Sequence, residues 1–200
     1  MTGRPICTKA PTVPPIDQSV ALRYAGMRGQ VDEVSELLRS CVAEVEGAFS
    51  YRVCWRTFPL QTLGEELDLG FARVRSRDLQ AHLAGCSEIL VLAATVGLEI
   101  DRLIARANAH SPTKALLLDA LGTERVEALC DALEAELRED AHKTNQSLTR
   151  RFSPGYGDLP LELQRNLLAA LDAPRSVGIT LNQSLLLSPS KSVTAIIGIF

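Results

Sequence analysis

No Cys-x-x-Cys pair occurs in this sequence. Its five cysteines, Cys7, Cys41, Cys54, Cys86 and Cys130, are odd in number and widely spaced, which argues against a disulfide framework and against a zinc site. Reduced thiols are expected, and Cys41 and Cys130 fall on apolar helix faces where an inert, buried thiol is the common outcome. The three histidines, His82, His110 and His142, lack the i, i+4 or short-loop spacing that lets two imidazoles reach one metal, so no protein-bound metal is expected. An excess of one charge is missing too. With 21 basic against 24 acidic residues the formal net charge is -3, too balanced to gather polyanions, and nucleic acid is not an expected partner. The longest apolar run, residues 89–96, is interrupted only by Thr95 and falls well short of the roughly 20 residues a membrane span needs. The opening MTGRPICTKAPTVPP has no apolar core of signal-peptide length. A cytoplasmic protein with no membrane partner is the expectation.

What is present is a core. Apolar side chains make up 46% of 200 residues, enough for one good core or two small ones at roughly 100 to 200 residues per domain. Residues 1–17 carry four prolines and read as an extended arm on the surface or along a sheet edge. Residues 18–48 read as a small N-terminal helical subdomain: a short helix over 18–27, then, after Gly29, a longer one over about 31–46, with Val34, Leu37, Leu38, Cys41, Val42 and Val45 at helical spacing. Residues 49–200 read as the α/β core. Strands are predicted over 51–58 and 71–74, and Ser76 and Asp78 are placed to cap a helix over 79–84. Residues 88–97 are apolar on both parities, as in a strand covered on both faces, with Gly97 ending it. A helix face follows from Leu98 to Ala107. Ser111 and Pro112 then open a helix that the stripe Val126, Leu129, Cys130, Leu133, Leu137 carries to about His142, Gly122 being a candidate kink. Another helix, carrying Leu163, Leu167, Leu168 and Leu171, follows Pro160, with Pro174 as its stop. The runs ITLNQSLLL and SVTAIIGIF read as paired strands joined by the turn SPSK, with Lys191 exposed at its tip. The fold class is α+β, a mixed or antiparallel sheet flanked by helices.

The most informative segment is RFSPGYGDLP at 151–160. Glycines let a ligand approach the backbone where no Cβ intervenes, Arg forks onto a carboxylate, and Tyr stacks on a planar base. Its bland reading is a turn between strand and helix. The segment resembles the R-x-x-P-G-Y-x-x-x-P signature of the activation (reactivation) domain of cobalamin-dependent methionine synthase. VEALCDAL at 126–133, GITLNQSLLLSPSKSVTAIIG at 178–198, AHLAGCSEILVLAATVG at 81–97 and LRYAGMRGQ at 22–30 are similar to further segments of that domain, in the same order.

The resemblance implies that the chain binds S-adenosylmethionine. Arg151 would pair with the ligand carboxylate, Ser153 and Gly155 would offer backbone contacts on the adenine side, and Tyr156 would pack beside the nucleoside. Glu127 would sit near the amino group or the sulfonium, although Glu127, Asp131 and Glu134 also form an i, i+4, i+7 stripe that suits a solvated helix face. Ser190, Lys191 and Ser192 would lie near the ligand loop and touch a corrinoid. No protein side chain is required as a catalytic nucleophile. The family domain is longer, continuing past the terminal strands with a segment that holds another ligand tyrosine. Nothing in the sequence resembles the modules that bind homocysteine, methyltetrahydrofolate or cobalamin. The resemblance therefore implies a free-standing activator, an accessory component of a methyltransferase. It would support reductive remethylation of cob(II)alamin in a methionine synthase or related corrinoid protein supplied in trans, with a flavodoxin- or ferredoxin-like electron donor. The alternative is a non-catalytic ligand-sensing or scaffold protein. Asp78 and His82 are no cobalt-ligating D-x-H-x-x-G loop, because the aspartate precedes the histidine by four residues instead of two.

Overall fold

The structure, a computed structural model, describes residues 3–27 and 32–200. Gly29, Val31 and the last three residues of LRYAGMRGQ lie outside the described residues. Helix α1 (Gln18–Tyr24) begins where the Asp17 carboxylate accepts from the N–H groups of Ser19 and Val20 at 2.9 and 3.2 Å. Helices α2 (Asp32–Val45) and α4 (Glu99–Asn108) join it against α5 (Pro112–Lys143), which Ser111 caps and Pro112 opens. At 32 residues, α5 runs about 48 Å. It is one continuous helix through Gly122. A Cβ there would come within 2.9 Å of Lys191 Cγ and 3.0 Å of Ile100 Cγ1, so this glycine admits two side chains instead of introducing a kink.

The central sheet is antiparallel, with β5 (Glu88–Thr95) between β1 (Arg52–Pro59) and β8 (Ser192–Ile199). Its middle strand separates two cores. Leu90, Leu92 and Ala94 face the layer of α1, α2, α4 and α5, while Ile89, Val91 and Ala93 face α3 (Arg77–His82), α6 (Leu163–Ala170) and the short α7 (Ala173–Ser176). This is why the segment reads as apolar on both parities. The proline arm lies along the outer edge of β1, where Cys7 and Trp55 exchange backbone hydrogen bonds of 3.0 Å. On the other edge, Phe152 pairs with Ile196 and Leu148 with Ile199, so β8 is covered along its C-terminal part only. Among the described residues no helix is long and apolar enough to cross a membrane.

Several expectations are corrected. The strand over 71–74 shrinks to β4 (Arg73–Val74), third in a small sheet behind β2 (Gln61–Leu63) and β3 (Glu66–Asp68), both too short for periodicity to register. Pro174 does not stop α6, which has already ended at Ala170, but sits in the first turn of α7. The two C-terminal runs do not pair with each other. The Asn182 side chain accepts from the N–H groups of Ser184 and Leu186 at 2.9 and 3.0 Å, an Asx-type reversal that folds the first run into its own hairpin. That hairpin joins β6 (Thr180–Leu181) to β7 (Leu187–Ser188), leaving β8 to pair with β5. Nor is Lys191 exposed. Its side chain retains 13% exposure, its Nζ lies 2.8 Å from Asp119 Oδ1, and it donates to Thr123 Oγ1 at 3.0 Å.

Candidate ligand-binding site

The loop 150–160 is held from both ends. Phe152 is paired to Ile196 of β8 by two backbone hydrogen bonds of 2.8 Å, which fixes where Arg151 and Ser153 stand. At the far end the Asp158 carboxylate accepts from the Ser76 hydroxyl and from the N–H groups of Arg77 (2.8 Å) and Asp78 (3.3 Å), while Asp158 N–H donates to Asp78 at 3.1 Å. The Ser76 hydroxyl, with the two N–H donors, holds the Asp158 carboxyl below the ordinary aspartate range. Between these anchors Gly155 N–H donates to Leu159 C=O and Tyr156 N–H to Ser153 C=O. Gly157, at φ +52°, lies so close to α3 that a Cβ would fall 2.0 Å from Asp78 Oδ2.

Beneath the loop is a cavity of about 580 Å³, within the range of small-molecule sites. It is bordered by α5 through Glu127, Asp131, Glu134 and Arg138, by the loop through Arg150, Arg151, Ser153, Pro154 and Tyr156, and by Gln164, Leu187 and residues 192–194. Of the residues named from sequence, the structure brings Glu127, Arg151, Ser153, Tyr156 and Ser192 around one space. It leaves Gly155, whose N–H is spent inside the loop, outside that lining, and Ser190 and Lys191 with it. Ser190 donates through its N–H and hydroxyl to Asp101 of α4 at 2.8 and 2.6 Å. The stripe Glu127, Asp131, Glu134 is more than a solvated face, although Asp131 is 72% exposed. It meets Arg151, whose Nη2 lies 3.1 Å from Glu127 and 2.7 Å from Asp131 and whose Nε lies 2.7 Å from Glu134.

Glu134, Arg138 and Gln164 were missed. Glu134 is largely buried, at 14% side-chain exposure, which pushes its carboxyl up, while Arg138 at 3.1 Å pulls it back. Arg138 donates to the backbone C=O of Leu148 and Thr149 at 2.6 and 2.8 Å and so ties α5 to the segment leading into the loop. Three carboxylates and three guanidiniums therefore border one cavity, an arrangement suited to a ligand carrying both charges. Two buried polar atoms there have no hydrogen-bond partner, Arg151 Nη1 and Gln164 Oε1. Cys54, on β1, is buried and its pKa is pushed up to about 12.

No protein-family model and no curated protein sequence matches this chain. Among solved structures, the crystal structure of the MetH reactivation domain bound to AdoHcy is similar to it. The TM-score is 0.72 at 16% identity, over 97% of this chain and 78% of that one. The fold is thus that of a methionine synthase activation domain.

Proposed function

We propose that this chain binds S-adenosylmethionine in the cavity beneath the loop 150–160 and serves as an activation module for a corrinoid-dependent methionine synthase, or a related corrinoid protein, supplied in trans. The observation that carries the reading is Arg151. Its Nε and Nη2 are committed to the carboxylates of α5, while its buried Nη1 has no partner, which is the donor an amino-acid carboxylate would satisfy. The similar fold was solved with AdoHcy bound. The residues present fit the group: Arg151 would hold the carboxylate, and Glu127 and Asp131 would face the ammonium and the sulfonium. Ser153 N–H would contact the nucleoside, with Tyr156, 60% exposed, covering it.

When bound, S-adenosylmethionine supplies an electrophilic methyl group. The chain's own work is positioning: the α5 carboxylates orient the head group, the stapled loop fixes the nucleoside, and Tyr156 shields it from water. The corrinoid partner would dock over the rim formed by Tyr156 and the 188–192 turn, with an electron from a flavodoxin- or ferredoxin-like donor, in a cytoplasmic setting. Titration calorimetry of the purified chain with S-adenosylmethionine and with S-adenosylhomocysteine tests the ligand assignment. Saturable one-to-one binding of both is expected. Absence of binding by both would overturn it and leave a scaffold role.

A further inference from the structure

The cavity has two unlike walls. On the α5 side stand the carboxylates with Arg138 and Arg151, whereas the opposite wall carries no charge and is made of Gln164, Leu187, Ser192 and Thr194. Gln164, on α6, is only 8% exposed, and its Oε1 has no hydrogen-bond partner; buried acceptors are rarely left so. Next to it the outer edge of β8 is open. Phe152 pairs with Ile196 on that edge and Thr149 with Gly198, but the chain turns away at Ser153. By the alternation of an antiparallel ladder, the backbone of Thr194, two residues before Ile196, points to the same edge, into the cavity.

We propose that this uncharged wall reads the nucleoside base, with the Gln164 side-chain carbonyl accepting a hydrogen bond from the exocyclic amino group of adenine while Leu187 packs against the ring. The inference rests on the ligand assignment above and names the residue that sets base specificity at that site. A zwitterionic head group belongs on the charged wall, because only there is each of its charges met by an opposite one. The neutral heterocycle is then left to the opposite wall. There an acceptor lacks a donor, and the amino group of adenine is a donor. A base with an oxygen at that position is a poor test, since the amide can turn over and offer its NH₂ instead. A base that lacks the group offers Oε1 no donor at that position.

The test is calorimetric titration of the whole chain with S-adenosylhomocysteine and with its analogue bearing hydrogen in place of the 6-amino group. Wild type should bind the analogue roughly tenfold more weakly or worse, as expected when a buried polar group loses its partner. Gln164→Leu, of similar volume, should bind the two compounds within about threefold of each other, having no acceptor to leave unpaired. Equal binding of both by wild type would overturn the proposal, and that comparison needs no variant to fold. Full discrimination retained in a folded Gln164→Leu protein, checked by thermal melting, would overturn it as well. If wild type bound neither compound, the ligand assignment itself would fall, a result distinct from either of these.

Discussion

At the scale of single residues, Arg151 is the side chain on which most depends. It lies where the loop signature places it, but its surroundings were not legible: helical spacing puts Glu127, Asp131 and Glu134 on one face and cannot say whether that face meets water or a loop some twenty residues further along the chain. Arg151→Ala should weaken S-adenosylhomocysteine binding by about 1.5 to 3 kcal/mol, the range for charge-assisted hydrogen bonds. It should also lower the melting temperature, because Glu134, 14% exposed, loses its nearer counter-charge. Calorimetry with a parallel thermal melt checks both, and unchanged affinity would remove Arg151 from the site. Lys191 shows the converse. One lysine between two apolar runs reads as a solvated turn tip, yet the missing Cβ of Gly122 on a distant helix makes room for its stem. Lys191→Glu would set a carboxylate beside Asp119 in place of a 2.8 Å ion pair. A loss of about 1 to 3 kcal/mol in denaturant unfolding is expected, where an exposed tip residue would shift stability by less than about 0.5 kcal/mol.

At the scale of elements, the site depends on a loop stapled to a helix start. Ser76 as N-cap of α3 was legible from sequence, but the second acceptor at that helix start, Asp158, comes from 82 residues away, beyond the reach of any local capping rule. Its carboxyl is held below the ordinary aspartate value of about 3.9, chiefly by the Ser76 hydroxyl. A depressed carboxyl contributes fully above its unfolded value and loses that contribution as pH falls through the folded one. Hydrogen exchange at the Gly155 and Leu159 amides, corrected for intrinsic rate, should therefore show constant protection from pH 7 to 5 and loss only below about pH 4. In Asp158→Ala that protection should already be low at pH 7. Gly157→Ala tests the same staple sterically, since it forces a Cβ into Asp78 at a positive φ. It should cost about 1 to 3 kcal/mol, read as a lower melting temperature, whereas a neutral effect would mean that the loop stands off α3. The β6–β7 hairpin was missed for a comparable reason: its reversal depends on the side-chain oxygen of Asn182, inside a run whose composition reads as continuous strand.

At the scale of the whole molecule, the layering was legible and its fastenings were not. An eight-residue strand apolar on both parities, β5, announces a sheet with cover on both faces. Nothing in local pattern announces that Glu124 and Arg125, adjacent on α5, are 4% and 2% exposed. Neighbouring residues on a helix do not normally face one another. Here Arg125 pairs with Glu124 and donates to the carbonyls of Pro14 and Pro15 at 2.6 and 3.1 Å, while Glu124 accepts from Asp17 N–H at 3.2 Å, so a buried ion pair fastens the proline arm to the longest helix. Arg125→Ala strands a buried carboxylate and should cost about 3 to 5 kcal/mol in equilibrium unfolding. A loss below about 1 kcal/mol, as for an exposed pair, would show that the fastening is dispensable. The function proposed for this layered body is to present a bound methyl donor to another protein's corrinoid, and one measurement reaches that claim directly. A corrinoid methionine synthase without an activation domain, oxidised to cob(II)alamin, is mixed with a reductant and S-adenosylmethionine, and the methylcobalamin absorption spectrum is followed with and without this chain. Its appearance should be accelerated by the wild-type chain and far less by Arg151→Ala at the same concentration. A rate that the wild-type chain leaves unchanged, under conditions where calorimetry shows its ligand bound, would contradict the activator function and leave a ligand-sensing protein on this fold.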